Sequence, residues 1–293
     1  KAFLHTHYVW QDRGLTHHCW WMDRNFTDGA VHPYGTTSIK VKGQYSVNLG
    51  GRQYVGNVSI SNNSGTTENH NDWVMFSEQP DVIPIINYIQ IPDLQGGEIV
   101  GLGRLLGDLV VFQSKGIYRL AVPASDPTTW TLIEAEPNIG VVASDSIVEY
   151  DGGIFFTGID HIYHLNTNFQ ATPVTQTIKD IWQGISTKEN TRLHLDPKKE
   201  KLLCRFGADS NTAYALDMRQ FPQREVWTSM DNSTSKRADL FFTDENLKTF
   251  SVEKDTTIQS FVCEYDPSSE NETTSFTRTT GWIKAGDLDD YKT

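Results

Sequence analysis

Short apolar runs separated by turn-forming residues fill the middle of the chain, from Gly97 to Leu165. One cycle reads G-E-I-V-G-L-G-R-L-L-G-D-L-V-V-F-Q-S-K-G-I-Y-R-L, and the next reads S-I-V-E-Y-D-G-G-I-F-F-T-G-I-D-H-I-Y-H-L. The separators are Gly-Asp, Asp-Gly-Gly, Ser-Lys-Gly and Asp-His. Gly, Asp and Asn tolerate the positive φ that tight hairpins need. The pattern therefore predicts a succession of β-hairpins.

The two cycles can be aligned at an offset of 44 or 45 residues. The matched pairs are Gly107 with Asp151, Phe112 with Phe156, Tyr118 with Tyr163, and Leu120 with Leu165. A period of about 40 to 45 residues with four strands per unit is typical of a β-propeller blade. The predicted fold class is all-β, a β-propeller of four-stranded antiparallel blades with polar loop insertions and one short helix.

Two further cycles follow the first two. In the third, Asp196-Pro197-Lys198-Lys199 is predicted to be a hairpin turn, and Phe206 and Tyr214 take the places of Phe156 and Tyr163. The fourth, around Phe250, is weaker, and the C-terminal stretch resembles the opening of a blade that the chain does not complete. Repeated aromatic residues could form a sugar-stacking platform. Since blades need their neighbours to bury their faces, we interpret them as core between blades.

Residues 1–72 are predicted to be a separate region, with blades occupying residues 73–293. Residues 1–23 look like a hairpin, and residues 24–72 contain short strands and a mobile polar loop at residues 61–72. The predicted helix follows the second cycle, where Ile178, Ile181, Trp182 and Ile185 share one helical face, with Asp180 and Gln183 pointing outward.

Composition narrows the possible functions. The net charge is −12 and the pI is about 5.1, which argues against wrapping nucleic acid or binding an anionic membrane. Cys19, Cys204 and Cys263 are few and odd in number, which favours reduced thiols over a disulfide scaffold. The sequence shows no apolar run long enough to span a membrane and no signal-peptide pattern.

Histidines in the N-terminal hairpin are the candidate metal ligands. The turn places His7 opposite His18, with His5 on the same face as His7, and Cys19 is adjacent. Zinc binds such nitrogen and sulfur donors. An unbroken strand, however, sends His18 and Cys19 to opposite faces. The preferred interpretation is a polar strand face, with no metal and no cofactor.

The sequence contains no clear catalytic motif. Ser125–Trp130 (S-D-P-T-T-W) faintly resembles the Asp-box turn of sialidase-type propellers, but we interpret it as a β-turn. Glycoside hydrolysis needs two facing carboxylates. The carboxylates considered are Glu134, Glu136, Asp145, Glu149, Asp151 and Asp160. No pair among them can be selected, and His161 and His164 are interpreted as surface residues. We therefore expect no catalytic residues and no enzymatic activity.

The blade cycles resemble a viral protein family. The succession W-V-M-F-S-E-Q-P-D, the two cycles quoted above and N-I-G-V-V-A-S-D between them resembles the propeller of head-to-tail connector, nozzle or hub proteins of short-tailed bacteriophages. The resemblance covers Trp73 to Trp227 and departs at His161, where the family often has Gly.

The resemblance implies a virion structural protein, assembled in the host bacterial cytoplasm, that forms a homo-oligomeric ring, expected to be a hexamer. Its implied partners are other tail, adaptor or portal proteins. Genomic DNA would pass through the ring without sequence-specific binding, and nothing would insert into a membrane. The alternative function is a carbohydrate-binding or carbohydrate-cleaving propeller that acts on cell-surface glycans.

Overall fold

The computed structural model describes residues 40–61, 67–77, 87–92, 97–150, 152–207, 212–231, 236–255 and 260–264. The predicted N-terminal hairpin, with His5, His7 and His18, lies outside these ranges. The chain divides into two compact units between Gln176 and Thr177. Each unit consists of antiparallel sheets whose strands follow one another in chain order.

Three four-stranded sheets make up the first unit. The first sheet contains β1 (Lys40–Leu49), β2 (Arg52–Ser61), β3 (Thr67–Phe76) and β4 (Tyr88–Gln90). The second contains β5 (Ile99–Leu105), β6 (Asp108–Gln113), β7 (Gly116–Ala121) and β8 (Thr131–Pro137). The third contains β9 (Val148–Tyr150), β10 (Gly153–Thr157), β11 (Ile162–Asn166) and β12 (Ala171–Pro173).

The second unit begins with a short helix and contains two sheets among its described residues. The helix is α1 (Lys179–Gln183). The fourth sheet contains β13 (Arg192–Asp196), β14 (Lys201–Arg205), β15 (Thr212–Asp217) and β16 (Trp227–Asp231). The fifth contains β17 (Lys236–Thr243), β18 (Thr249–Asp255) and β19 (Ser260–Glu264).

These sheets are β-propeller blades, so the predicted fold class is confirmed. Each complete sheet is a four-stranded meander, and the first strands of the last four sheets begin at residues 99, 148, 192 and 236, within or close to the predicted period. In the first unit, β1 lies against β5 and β5 against β9, so each blade meets the next along its first strand. The fourth strands, β4, β8 and β12, form the opposite edges.

Two apolar layers hold the three blades of the first unit together. Between the first and second blades, Tyr54, Phe76 and Ile99 are buried with Leu109, Val111, Tyr118 and Leu120. Between the second and third blades, the layer contains the buried residues Leu105, Val110, Phe112, Ile117, Val141, Ile154, Phe156, Leu165 and Phe169. The middle blade therefore buries both faces, which explains why β6 is buried at every position.

The structure corrects one pair of the sequence alignment. Phe156 faces the preceding blade and pairs across the hairpin with Tyr163, whereas Tyr118 pairs with Val111. Val111 is therefore the counterpart of Phe156. Phe112 points to the opposite face of β6, because successive residues of a strand alternate. The match of Phe112 with Phe156 was wrong by one residue, whereas Tyr118 with Tyr163 and Leu120 with Leu165 hold.

The predicted hairpin turns are found where the sequence places them. Leu106 and Gly107 connect β5 to β6 with positive φ of 53° and 85°, so G-L-G-R-L-L-G lies on a hairpin, as expected. The Asp196 turn joins β13 to β14, and the Asp196 carboxylate accepts hydrogen bonds from the backbone N–H groups of Lys198 and Lys199. Such side-chain acceptors are what stabilise Asx turns.

Three predictions about the remaining segments need correction. The polar loop predicted at residues 61–72 is in part strand, since β3 begins at Thr67 and its backbone pairs with β2. The division predicted between residues 72 and 73 lies inside β3, within the first blade. In α1, Trp182 is fully buried and Asp180 and Gln183 are exposed as expected, but Ile181 is 40% exposed. The helix has only five residues, so Ile178 and Ile185 lie outside it and the predicted four-residue apolar face does not form.

Candidate functional site

The repeated aromatic residues are core residues. Phe112, Phe156 and Phe206 are fully buried. Phe112 meets Phe156 across the second blade interface at a centroid distance of 5.4 Å, and Phe156 stacks on Tyr163 at 5.5 Å. Within the second unit, Phe206 stacks on Tyr214 at 5.0 Å. The interpretation as core rather than as a sugar platform is confirmed for these phenylalanines and for the buried Tyr118, whereas Tyr163 and Tyr214 are half-buried.

Two of the candidate carboxylates connect neighbouring blades. Glu149, in β9, accepts hydrogen bonds from two nitrogens of the Arg104 guanidinium. Nε lies 3.1 Å from each carboxylate oxygen and Nη2 lies 2.6 Å from Oε2. The Arg104 backbone N–H donates to the same carboxylate. Glu136, in β8, accepts a 2.6 Å hydrogen bond from the backbone N–H of Ala171, the first residue of β12. Both carboxylates therefore join the second blade to the third.

The other candidate carboxylates are not brought together. Glu134 and Asp160 are exposed, in β8 and in the turn between β10 and β11, and Asp145 lies in a 3-10 turn at Ser144–Ser146. Asp151 lies outside the described residues. The expected absence of a catalytic pair remains a prediction.

His161 and His164 belong to the third blade. His161 Nδ1 lies 3.0 Å from Thr175 Oγ1. His164 is only 5% exposed, and its ring lies 4.8 Å from the Phe155 ring, so its interpretation as a surface residue was wrong. His164 lies opposite Phe155 in the β10–β11 hairpin, and Phe155 is fully buried as well, so this face of the third blade is covered. Burial lowers the pKa of His164, which favours a neutral side chain.

The Ser125–Trp130 segment is a structural turn. Asp126 caps a 3-10 turn at Pro127–Thr129 by accepting a hydrogen bond from the Thr128 backbone N–H. The Trp130 indole N–H donates to the Ala124 carbonyl, and its ring packs on Phe76 at 4.8 Å and on Tyr54 at 5.8 Å. The turn thus closes the outer part of the first blade interface, and the predicted turn contains a short 3-10 helix.

Among the described residues, no three His, Cys, Asp or Glu side chains are placed to hold a metal ion. This finding does not test the candidate metal ligands His5, His7 and His18, which lie outside the described ranges. Of the described helices, none is long and apolar enough to cross a membrane.

A parallel stack of three aromatic rings lies at the outer edge of the first blade. We call His70, Trp73 and Tyr88 the edge stack. The His70 ring lies 3.7 Å from the Trp73 ring at 15°, and Trp73 lies 3.7 Å from Tyr88 at 5°. Tyr88 is 43% exposed on the edge strand β4. The sequence analysis missed this cluster because it placed His70 in a loop. The sequence signal for this cluster is the close spacing of His70 and Trp73 within one strand.

Acidic and polar groups adjoin the edge stack. The Gln90 amide donates a 2.6 Å hydrogen bond to the Asp72 carboxylate, and the Ile91 backbone N–H donates to the Asp72 carbonyl. His70 Nε2 lies 3.7 Å from the Glu68 carboxylate, which is largely exposed. The chain carries no Lys or Arg from Gln53 to Gly103. The edge stack is therefore an aromatic surface in an acidic stretch.

No protein-family model matches the chain, and no curated protein matches it. Solved structures of low similarity include the extracellular domain of a hybrid two-component system from B. thetaiotaomicron, with 10% identity, a TM-score of 0.44 and 84% of this chain covered. Raptor from Chaetomium thermophilum has 11% identity, a TM-score of 0.40 and 72% of this chain covered. Hsv2 from Kluyvelomyces marxianus has 9% identity, a TM-score of 0.41 and 80% of this chain covered.

The chain spans 27% of the two-component system domain, 20% of Raptor and 75% of Hsv2. The three TM-scores lie below 0.5, so this likeness carries no argument about function.

Proposed function

We propose that the protein is a structural component of the tail or head-to-tail connector of a short-tailed bacteriophage. In this role it forms part of a homo-oligomeric ring, expected to be a hexamer, that retains genomic DNA and then conducts it outward. It is a virion protein that contacts other tail, adaptor or portal proteins and performs no catalysis. The blade cycles from Trp73 to Trp227, which resemble that family, are the starting point of this proposal.

The main support for this proposal is that two carboxylates considered as candidate catalytic groups instead form hydrogen bonds between blades. The Glu149 carboxylate is occupied by Arg104, and the Glu136 carboxylate is hydrogen-bonded to the backbone at Ala171. A bidentate arginine–carboxylate pair restricts both orientation and distance. These bonds join the second blade to the third, and the two apolar layers pack the three blades of the first unit together, which suits a virion part that must carry load.

The charge of the chain suits a conduit for DNA. With a net charge of −12, the protein repels phosphate groups and does not release counterions by neutralising them. DNA can then slide past an acidic surface without adhering to it. A protein that bound the genome tightly would hinder its ejection.

The proposal is tested by the size and shape of the assembly formed by the purified chain. Sedimentation and negative-stain microscopy are expected to show a symmetric ring, and a portal-like protein is expected to co-purify from infected cells. A monomer that binds a glycan array, or that releases reducing sugar from a cell-surface polysaccharide, would contradict the proposal and favour the carbohydrate-directed alternative.

A further inference from the structure

We propose that neighbouring copies of the chain are joined by Tyr88 of one copy, which packs on Phe242 and Phe250 of the next copy. This inference rests on the proposed function, because it assigns the subunit interface of the proposed ring. It names one surface in the first unit and a different surface in the second unit.

The fifth blade has an exposed aromatic face on the side away from the fourth blade. Phe242 lies opposite Phe250 in the β17–β18 hairpin, and the two rings stack at 5.3 Å and 17°. The preceding residue, Phe241, is buried with Leu203 and Ala215 of the fourth blade. Because successive side chains of a strand alternate, Phe242 points away from the fourth blade, and it is 38% exposed. We call Phe242 and Phe250 the aromatic face.

Stacked pairs of the same kind are covered by a third aromatic ring in two other blades. Phe156, stacked on a tyrosine of its own blade, meets Phe112 of the second blade at 5.4 Å and 48°. Phe206, also stacked on a tyrosine, meets Trp182 of α1 at 5.5 Å and 79°. Both covered phenylalanines are fully buried. A tilted ring from a neighbouring element is therefore how this fold completes such a pair.

The aromatic face of the fifth blade lacks such a cover within the described part of the chain. No third aromatic ring among the described residues contacts Phe242 or Phe250. An aromatic ring that packs on the pair removes apolar surface from water, and tilted or edge-to-face geometry adds to this gain. The complement of the aromatic face is therefore a ring presented by another surface.

Tyr88 of the edge stack is such a ring. Tyr88 and Phe242 are the two exposed aromatic side chains in the described ranges, at 43% and 38%. One side of the Tyr88 ring lies 3.7 Å from Trp73 and nearly parallel to it, so its exposure comes from the opposite side and the ring edges. Because Trp73 and His70 fix the plane of Tyr88, a contact does not have to order the ring first.

The placement of these two surfaces suits a ring of identical copies. A surface that pairs with itself is satisfied in a dimer, whereas a cyclic ring of more than two copies uses two different surfaces on each copy. Tyr88 lies in the first unit and the aromatic face lies in the second. Aromatic side chains are also the residues that contribute most to the centres of protein interfaces. We therefore assign the two surfaces to each other across a subunit boundary.

Single substitutions in the full chain test each surface by sedimentation velocity. Tyr88→Ala and Phe242→Ala are each expected to weaken the subunit contact by about ten-fold or more and to convert rings into monomers. Tyr88→Phe keeps the ring and is expected to retain assembly. The control is Ile133→Ala, since Ile133 is similarly exposed, at 42%, and lies on β8 outside both surfaces. Circular dichroism is expected to show that all four variants keep the wild-type fold.

Mixing the two alanine variants tests whether the surfaces meet each other. The Tyr88→Ala copy keeps its aromatic face, and the Phe242→Ala copy keeps its Tyr88 ring. Each mixture therefore contains one intact contact, and a dimer with one copy of each variant is expected, which cannot extend into a ring. The chain that carries both substitutions is expected to remain a monomer with either partner.

The possible outcomes separate this inference from the proposed function. Rings that persist in both alanine variants would refute the interface and leave the proposed ring intact, whereas a wild-type chain that stays monomeric would refute both. Loss of assembly in only one variant, or a mixture that stays monomeric, would show that the two surfaces do not contact each other. Coupled effects of the two substitutions on the stability of a monomeric chain would overturn the assignment to a second copy.

Discussion

At the scale of single residues, the burial of aromatic side chains is what the sequence pattern predicted best. Phe156 is fully buried, stacks on Tyr163 in its own blade and meets Phe112 of the preceding blade. The burial of His164, by contrast, could not be predicted from the sequence. A histidine in an alternating strand faces solvent only if that strand has an open face, and the presence of a covering layer depends on residues distant in sequence.

Phe156→Ala is expected to lower the free energy of unfolding by about 3–5 kcal/mol, because it removes a buried aromatic ring and leaves a cavity at the second blade interface. The comparison variant is Ile159→Ala, since Ile159 is 69% exposed and its truncation should change stability by less than about 0.5 kcal/mol. Urea unfolding followed by circular dichroism measures both. Equal effects of the two substitutions would refute the assignment of Phe156 to the core.

At the scale of elements, the pairing of strands within a hairpin was predictable from the sequence. Which side chains of a strand face the neighbouring blade was not. The Gly, Asp and Asn separators located the turns at Leu106–Gly107 and at Asp196. The alignment of Phe112 with Phe156 failed because the position of Phe156 is taken by Val111 in the second blade, and Phe112 is the next residue along the strand. In a strand, a shift of one residue moves a side chain to the other face.

Gly140 tests how closely two blade elements approach. A Cβ at Gly140 would overlap the backbone carbonyl of Ser114, the residue that follows β6, so the neighbour cannot yield by rotating a side chain. Gly140→Ala is expected to destabilise the protein by about 1–3 kcal/mol or more. In β7, a Cβ at Gly116 would come no closer than 3.7 Å to another atom, so Gly116→Ala serves as the control and should be tolerated better. Thermal unfolding of the two variants compares them, and equal midpoints would contradict the close approach.

At the scale of the whole molecule, composition and structure lead to the same expectation about nucleic acids. The net charge is −12, and the stretch from Gln53 to Gly103 lacks Lys and Arg. The salt bridges among the described residues pair several arginines with carboxylates, as in Arg104 with Glu149, Arg119 with Asp108 and Arg219 with Asp217. A cation that is already paired contributes little to neutralising a phosphate.

The purified chain is expected not to bind a fluorescent DNA duplex at micromolar concentration and about 0.15 M salt, measured by anisotropy. The physical reason is that the net charge of −12 repels the phosphate backbone. A basic protein of similar size is the positive control. Binding that weakens steeply as salt is raised would show a basic surface that neither the net charge nor the described ion pairs reveal, and it would count against a passive conduit.

The sequence by itself determined the hairpins, their spacing and the all-β class, because turn chemistry and strand alternation are local properties that a few neighbouring residues decide. It also located the aromatic residues that fill the blade interfaces. Only the tertiary structure decided which face of a strand meets the next blade, that His164 is buried, and that Glu149 and Glu136 serve as ties between blades. The same holds for the edge stack, whose His70, Trp73 and Tyr88 come from two strands. Such contacts depend on register between distant segments, and a one-residue change in register reverses them.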